Sequence, residues 1–233
     1  MNALMKKENL DHAFKFKEPV KKGINESNKI SEKEKKILNF ALDHERLTKD
    51  TINMISEEGE DVVNNIKDFS NEEKNMTNCT KFVVTNKRPI KKSVKIALDN
   101  KESIKEAVEG SNENIKKITN FALDHENFTK DVVDLTLDEG EKVVSSIEDF
   151  QNGDQDIMSY VKLTADNKIP IQKSVDVLFE NKRTTEEIID QEIGDDTLRG
   201  IAKFALENEN LTKAVVNTTL NVAEYVNDDC KII

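Results

Sequence analysis

The chain reads as all-α, built from tandem helical repeats of about 81 residues that form an elongated bundle or array with coiled-coil-like seams. Three observations predict this. First, Ile37-Leu38-Asn39-Phe40-Ala41-Leu42-Asp43-His44-Glu45 returns as Ile118-Thr119-Asn120-Phe121-Ala122-Leu123-Asp124-His125-Glu126 and again as Ile201-Ala202-Lys203-Phe204-Ala205-Leu206-Glu207-Asn208-Glu209, at offsets of 81 (118 minus 37) and 83 (201 minus 118). Such self-similarity marks a repeat architecture. Second, apolar residues in each copy follow a 3-4 spacing, which lines one face of a helix. Third, the composition is 36% hydrophobic and 35% charged, with seven Gly, three Pro and no Trp, which suits solvated helices with narrow apolar stripes.

The domains expected on this basis are a flexible tail over 1–16, an abbreviated repeat over 17–84, a second repeat over 85–165 and a third over 166–233. Lys17-Glu18-Pro19-Val20-Lys21-Lys22 resembles the starts at Asn86-Lys87-Arg88-Pro89 and Asn167-Lys168-Ile169-Pro170, but lies about 11 residues closer to its own core motif, as in a terminal cap. Ser31 with Glu34 then predicts a capping box opening a helix. Its seam is Ile37, Phe40, His44, Leu47, Thr51 and Met54. After Gly59 the apolar positions shift to Val62, Val63, Ile66 and Phe69, so the glycine marks a kink, a stutter or a short break.

Ser70-Asn71 predicts a turn, and Met76 to Val84 a shorter helix, although Phe82-Val83-Val84 would also suit a brief strand. Pro89 opens a further helix through Ile90, Val94, Ala97, Ile104 and Val108 up to Gly110, since proline is tolerated in a first turn. Gly110-Ser111 predicts a stop followed by an N-cap. The second copy repeats the plan. Its seam is Ile118, Phe121, His125, Phe128, Val132 and Leu135, then Gly140, a turn at Asn152-Gly153, a short helix over Ile157 to Thr164, and a helix from Pro170 to about Ile193. Gly194-Asp195 precedes the third seam of Ile201, Phe204, Asn208, Leu211, Val215 and Thr218. Over Ile37 to Phe69 and Ile118 to Phe150 the two copies align without a gap and share 19 of 33 residues.

The repeated Asp-His-Glu is the strongest chemical candidate, because carboxylates beside histidine are the raw material of metal sites and acid-base pairs. Successive helical residues point about 100° apart, however, so Asp43, His44 and Glu45 diverge. Copy three carries Asn208, polar but not titrating, where the others carry histidine. The property common to all three is a polar rung in an apolar seam, a device that sets helix register. Lys101 and Lys182 extend the same idea to the preceding helices. The pairs Glu45/Lys49, Glu126/Lys130 and Glu209/Lys213 support their helices at i,i+4. Lys81, Lys87, Arg88, Lys91, Lys92 and Lys95 form a basic cluster that reads as a solvated helix face. No phosphate loop, nucleophile elbow, Cys-x-x-Cys or calcium-loop spacing occurs in the sequence.

The formal net charge of −11 opposes attraction to nucleic acid or to an anionic membrane. Cys79 and Cys230 are too few for a disulfide framework and fit a reducing compartment. No stretch approaches the roughly 18 apolar residues of a membrane span, so a soluble cytoplasmic protein is expected, with secretion by a route lacking a cleaved signal as the alternative. The function expected is a non-enzymatic structural or interaction protein, with no catalytic group, cofactor or metal. It presents seam residues Phe40, His44, Leu47, Phe121, His125, Phe128, Phe204, Asn208 and Leu211 to a protein partner or to further copies. An amphipathic coat on a lipid or polymer inclusion, in the style of phasins and exchangeable apolipoproteins, is a second reading. A small helical regulator or inhibitor of another protein is a third.

Overall fold

The structure is a computed structural model that describes residues 7–71 and 75–229. Among them the chain forms fourteen α-helices and no strand. Residues 7–15 of the expected tail are the helix α1 (Lys7–Lys15), followed by α2 (Lys17–Glu26). The third and fourth helices are α3 (Glu32–Asp43) and the 27-residue α4 (Glu45–Asn71). Next come α5 (Met76–Thr85), α6 (Lys87–Asp99) and α7 (Lys101–Val108). The pattern then recurs as α8 (Glu113–Asp124), α9 (Glu126–Asn152), α10 (Ile157–Asp166), α11 (Lys168–Glu180) and α12 (Lys182–Glu192), ending in α13 (Asp196–Glu207) and α14 (Glu209–Asp229).

Side-chain caps mark five of these starts, at Ser31, Asn75, Asn112, Asp156 and Asp195. Ser31 and Glu34 close the expected box, with the Glu34 N–H donating to Ser31 Oγ at 3.3 Å and the Ser31 N–H to Glu34 Oε2 at 2.8 Å. Asp195 caps α13 by accepting from the Leu198 N–H at 2.8 Å. At α8 the expected cap is corrected by one residue. Asn112, not Ser111, carries the side chain that turns to a backbone amide, accepting from the Asn114 N–H at 2.9 Å. Met76–Thr85 is helical rather than extended, capped by Asn75 on the Asn78 N–H.

The larger departure is in where helices stop. Each seam drawn above as one helix is two, because a single residue interrupts it: His44 between α3 and α4, His125 between α8 and α9, Asn208 between α13 and α14. The same one-residue interruption falls at Phe16, Asn86, Asn100, Asn167 and Asn181. All eight share one backbone state, with φ from −96° at Asn86 to −127° at Asn100 and ψ from 18° at Asn167 to 63° at His44. No described residue has positive φ. At Phe16, Asn86 and Asn167 a proline three residues later explains the stop: Pro19, Pro89 and Pro170 have no N–H to continue the ladder. Gly59 and Gly140, where a discontinuity was expected, lie inside unbroken helices.

The chain divides into two compact units, Met1–Lys67 with Arg88–Leu123, and Asp68–Lys87 with Asp124–Ile233. In the first, Leu42, Leu47, Leu98 and Leu123 are the buried apolar residues. Here α2 packs on α3, tied by Lys17 and Lys21 to Asp43 at 2.5 and 2.7 Å. Asp11 of α1 reaches Lys49 at 2.7 Å. Lys92 of α6 meets Glu57 and Glu58 of α4, both at 2.6 Å. In the second unit Leu137, Val144, Ile189, Leu206, Leu220 and Ala223 are buried. There α5, α10 and α11 pack on α9, α10 and α11 also pack on α14, and α12 packs on α13.

Candidate interaction face

Six of the eight interruptions are stitched by their own side chains. Four residues after His44, Thr48 donates its hydroxyl back to the Ala41 carbonyl at 2.7 Å, and Thr212 does the same to Ala205 at 2.7 Å after Asn208. Thr185 reaches back to the Leu178 carbonyl at 2.9 Å after Asn181. These threonines satisfy carbonyls that a broken ladder would leave without a donor. The asparagine amides do similar work: Asn86, Asn100, Asn167, Asn181 and Asn208 each donate to the carbonyl four residues back, at 2.7–2.9 Å.

The interruptions also meet one another within each unit. In the first, a shallow cleft is lined by Asp43–Leu47 and by Leu98–Ser103. Asn100 donates to Asp50 at 3.2 Å, and His44 Nε2 lies 3.2 Å from Glu106 without the alignment of a hydrogen bond. In the second, Asp124–Phe128 face Glu180–Thr184. Asn181 donates to Asp131 at 2.8 Å, His125 Nδ1 sits 3.0 Å from Thr184 Oγ1, and His125 Nε2 sits 3.2 Å from Glu187. His125 therefore has both ring nitrogens occupied by α12.

The Asp-His-Glu triplet diverges, but across a helix interruption at His44 rather than along one helix as expected. Asp43 turns to Lys17 and Lys21, His44 to Glu106, and Glu45 to Lys49 at 2.7 Å. The two lysines beside Asp43 hold its carboxyl down at about 2. Among the described residues no three His, Cys, Asp or Glu side chains gather as a metal-holding group. Cys79 is an exposed free thiol, while Cys230 lies outside the described residues.

The expected seam residues separate into covered and bare. Leu47 is buried, and Phe40, His44, Phe121, His125, Phe128 and Asn208 are half-buried. Phe204 and Leu211 are 57% and 54% exposed. Ile201, Val215, Val222 and Tyr225 are likewise more than half exposed, so exposed apolar residues continue past Thr218 to Tyr225. Sequence reasoning stopped the third seam at Thr218 and passed over Asn100 and Asn181. The signal for the asparagines was present: Leu98-Asp99-Asn100-Lys101 and Phe179-Glu180-Asn181-Lys182 share the form of Leu42-Asp43-His44-Glu45.

No family model, no curated protein and no solved structure matches the chain. No described helix is long and apolar enough to cross a membrane.

Proposed function

We propose that the chain is a non-enzymatic helical-repeat protein of the reducing cytoplasm that associates with other protein through the apolar seams of its repeats. The observation that carries this reading is the exposed stripe of α13 and α14, six apolar side chains at 3-4 spacing that a soluble monomer gains nothing by leaving in water. Repetition at the level of contacts supports it. His44 with Glu106, Asn100 with Asp50 and Lys92 with Glu58 recur 81 residues on as His125 with Glu187, Asn181 with Asp131 and Lys173 with Glu139. Side chains consumed in this way tie helices of one repeat to those of the next, which leaves the exposed seam of the third repeat as the surface for recognition.

The test is photocrosslinking in cells, with a photoreactive amino acid replacing Leu211 in the full chain. Adducts to protein are the expected result. Adducts confined to lipid would favour the inclusion-coat reading and overturn this one, as would an absence of adducts from a folded, expressed chain.

A further inference from the structure

We propose that the α13–α14 stripe is a homotypic interface on which a second copy of the chain seats its own α13–α14, a proposal that rests on the association reading above. The argument comes from comparing equivalent positions in the three copies. Glu58 of α4 is buried and held by Lys92 at 2.6 Å and Arg88 at 2.8 Å. Its counterpart Glu139 of α9 is held by Lys173. The third counterpart is Val222, and three residues later Asp61 and Lys142 are replaced by Tyr225. At the position where α4 and α9 engage a lysine of their own chain, α14 carries valine, and at the charged position three residues later it carries tyrosine. Val222 and Tyr225 are 57% and 69% exposed.

The whole stripe is uncharged. Ile201, Phe204, Asn208, Leu211, Val215, Thr218, Val222 and Tyr225 keep 3-4 spacing throughout. The flanking positions are Ala205, Thr212, Thr219 and Val226 on one side and Gly200, Glu207, Ala214 and Asn221 on the other, with one charged residue among the eight. Charges flanking a seam are what ordinarily select a foreign helix. A neutral stripe on a chain of net charge −11 offers such a partner nothing to read, whereas two copies of it meet without repulsion at the contact. The polar rungs, Asn208 and Thr218, supply register.

The area suffices. Leu198 of α13 is 59% exposed and adjoins the stripe. With it, seven apolar side chains each give up roughly 100 Å², so two copies bury about 1,400 Å², inside the roughly 1,200–2,000 Å² of a specific interface. The opposite side of these helices is already anchored by buried Leu206, Leu220 and Ala223, so the stripe is held in place before any partner arrives.

Sedimentation equilibrium of the full chain, with reductant present to exclude disulfides through Cys79, tests the proposal. A reversible monomer–dimer equilibrium is expected. Val222→Lys with Tyr225→Lys places two like charges on an exposed face of α14, and weakens the dimer at least about 100-fold through charge left without a counter-ion in an apolar contact. Val63→Glu, at a 50% exposed site on α4 outside the α13–α14 stripe, leaves the equilibrium unchanged. Hydrogen exchange on the unaltered chain gives a second readout: α14 amides slow as concentration rises. A chain monomeric at every concentration, or a dimer indifferent to the double substitution, overturns the proposal. If that monomer still crosslinks to protein at position 211, the association reading stands without it. Lipid adducts alone sink both.

Discussion

Asp43 shows how a single residue couples a helix stop to tertiary structure. As the last residue of α3 it cannot receive help from the helix dipole, which disfavours an anion there. It is stabilised by Lys17 and Lys21 of α2 instead, and these hold its carboxyl at about 2, below an ordinary value of 3.8. The folded value is depressed, so the contribution to stability is fully present above about pH 4 and is lost as pH falls through about 2. Its size is that of a solvent-screened pair, since the Asp43 side chain is 39% exposed. We expect the Asp43 carboxyl to titrate near pH 2 by NMR, with α2 amides losing exchange protection over the same range. Titration near 4 would show that α2 does not rest on Asp43.

At the scale of elements, the 3-4 rhythm marked the stretches that are helical, and the all-α class followed. The same rhythm concealed the interruptions. Ile118, Phe121, His125 and Phe128 keep the 3-4 spacing although α8 ends at Asp124 and α9 begins at Glu126, because a single non-helical residue stops a helix without altering the count of residues between apolar positions. Glycine misled in the opposite sense: in a 27-residue helix the cost of about 1 kcal/mol for Gly140 is absorbed. A Cβ at Gly140 would meet only Thr80 and Thr136 methyls at 3.6 and 3.8 Å, so Gly140→Ala should stabilise the chain by about 0.5–1 kcal/mol in urea unfolding. Of the candidate site, the polar rungs were legible from residue type, but their partners Glu106 and Glu187 lie 62 residues away and carry no local mark. The lysine clasp can be tested at the same scale. Lys173→Met leaves Glu139, with a side chain only 14% exposed, without its cation and should cost about 1–3 kcal/mol. Adding Glu139→Val, the residue that α14 carries at this position, should recover most of that loss in a double-mutant cycle.

For the molecule as a whole, charge and apolar surface pull against each other. With 46 acidic and 35 basic residues, two copies repel at a distance whatever face they present. The stripe on α13 and α14 contributes no ion pair to an interface, so the electrostatic part of homotypic association is this repulsion alone. Salt shortens its range from about 30 Å at 0.01 M to about 10 Å at 0.1 M. Raising sodium chloride over that interval should therefore tighten the dimer several-fold. Lowering the pH toward the isoelectric point of about 5.0 should act in the same direction by removing the net charge itself. Association through the ion-pair-rich faces of α4, α6 or α11 would respond in the opposite way, weakening as salt screens lysine from glutamate. The sign of the salt dependence in sedimentation thus separates a contact made by an uncharged seam from one made by the charged surface around it.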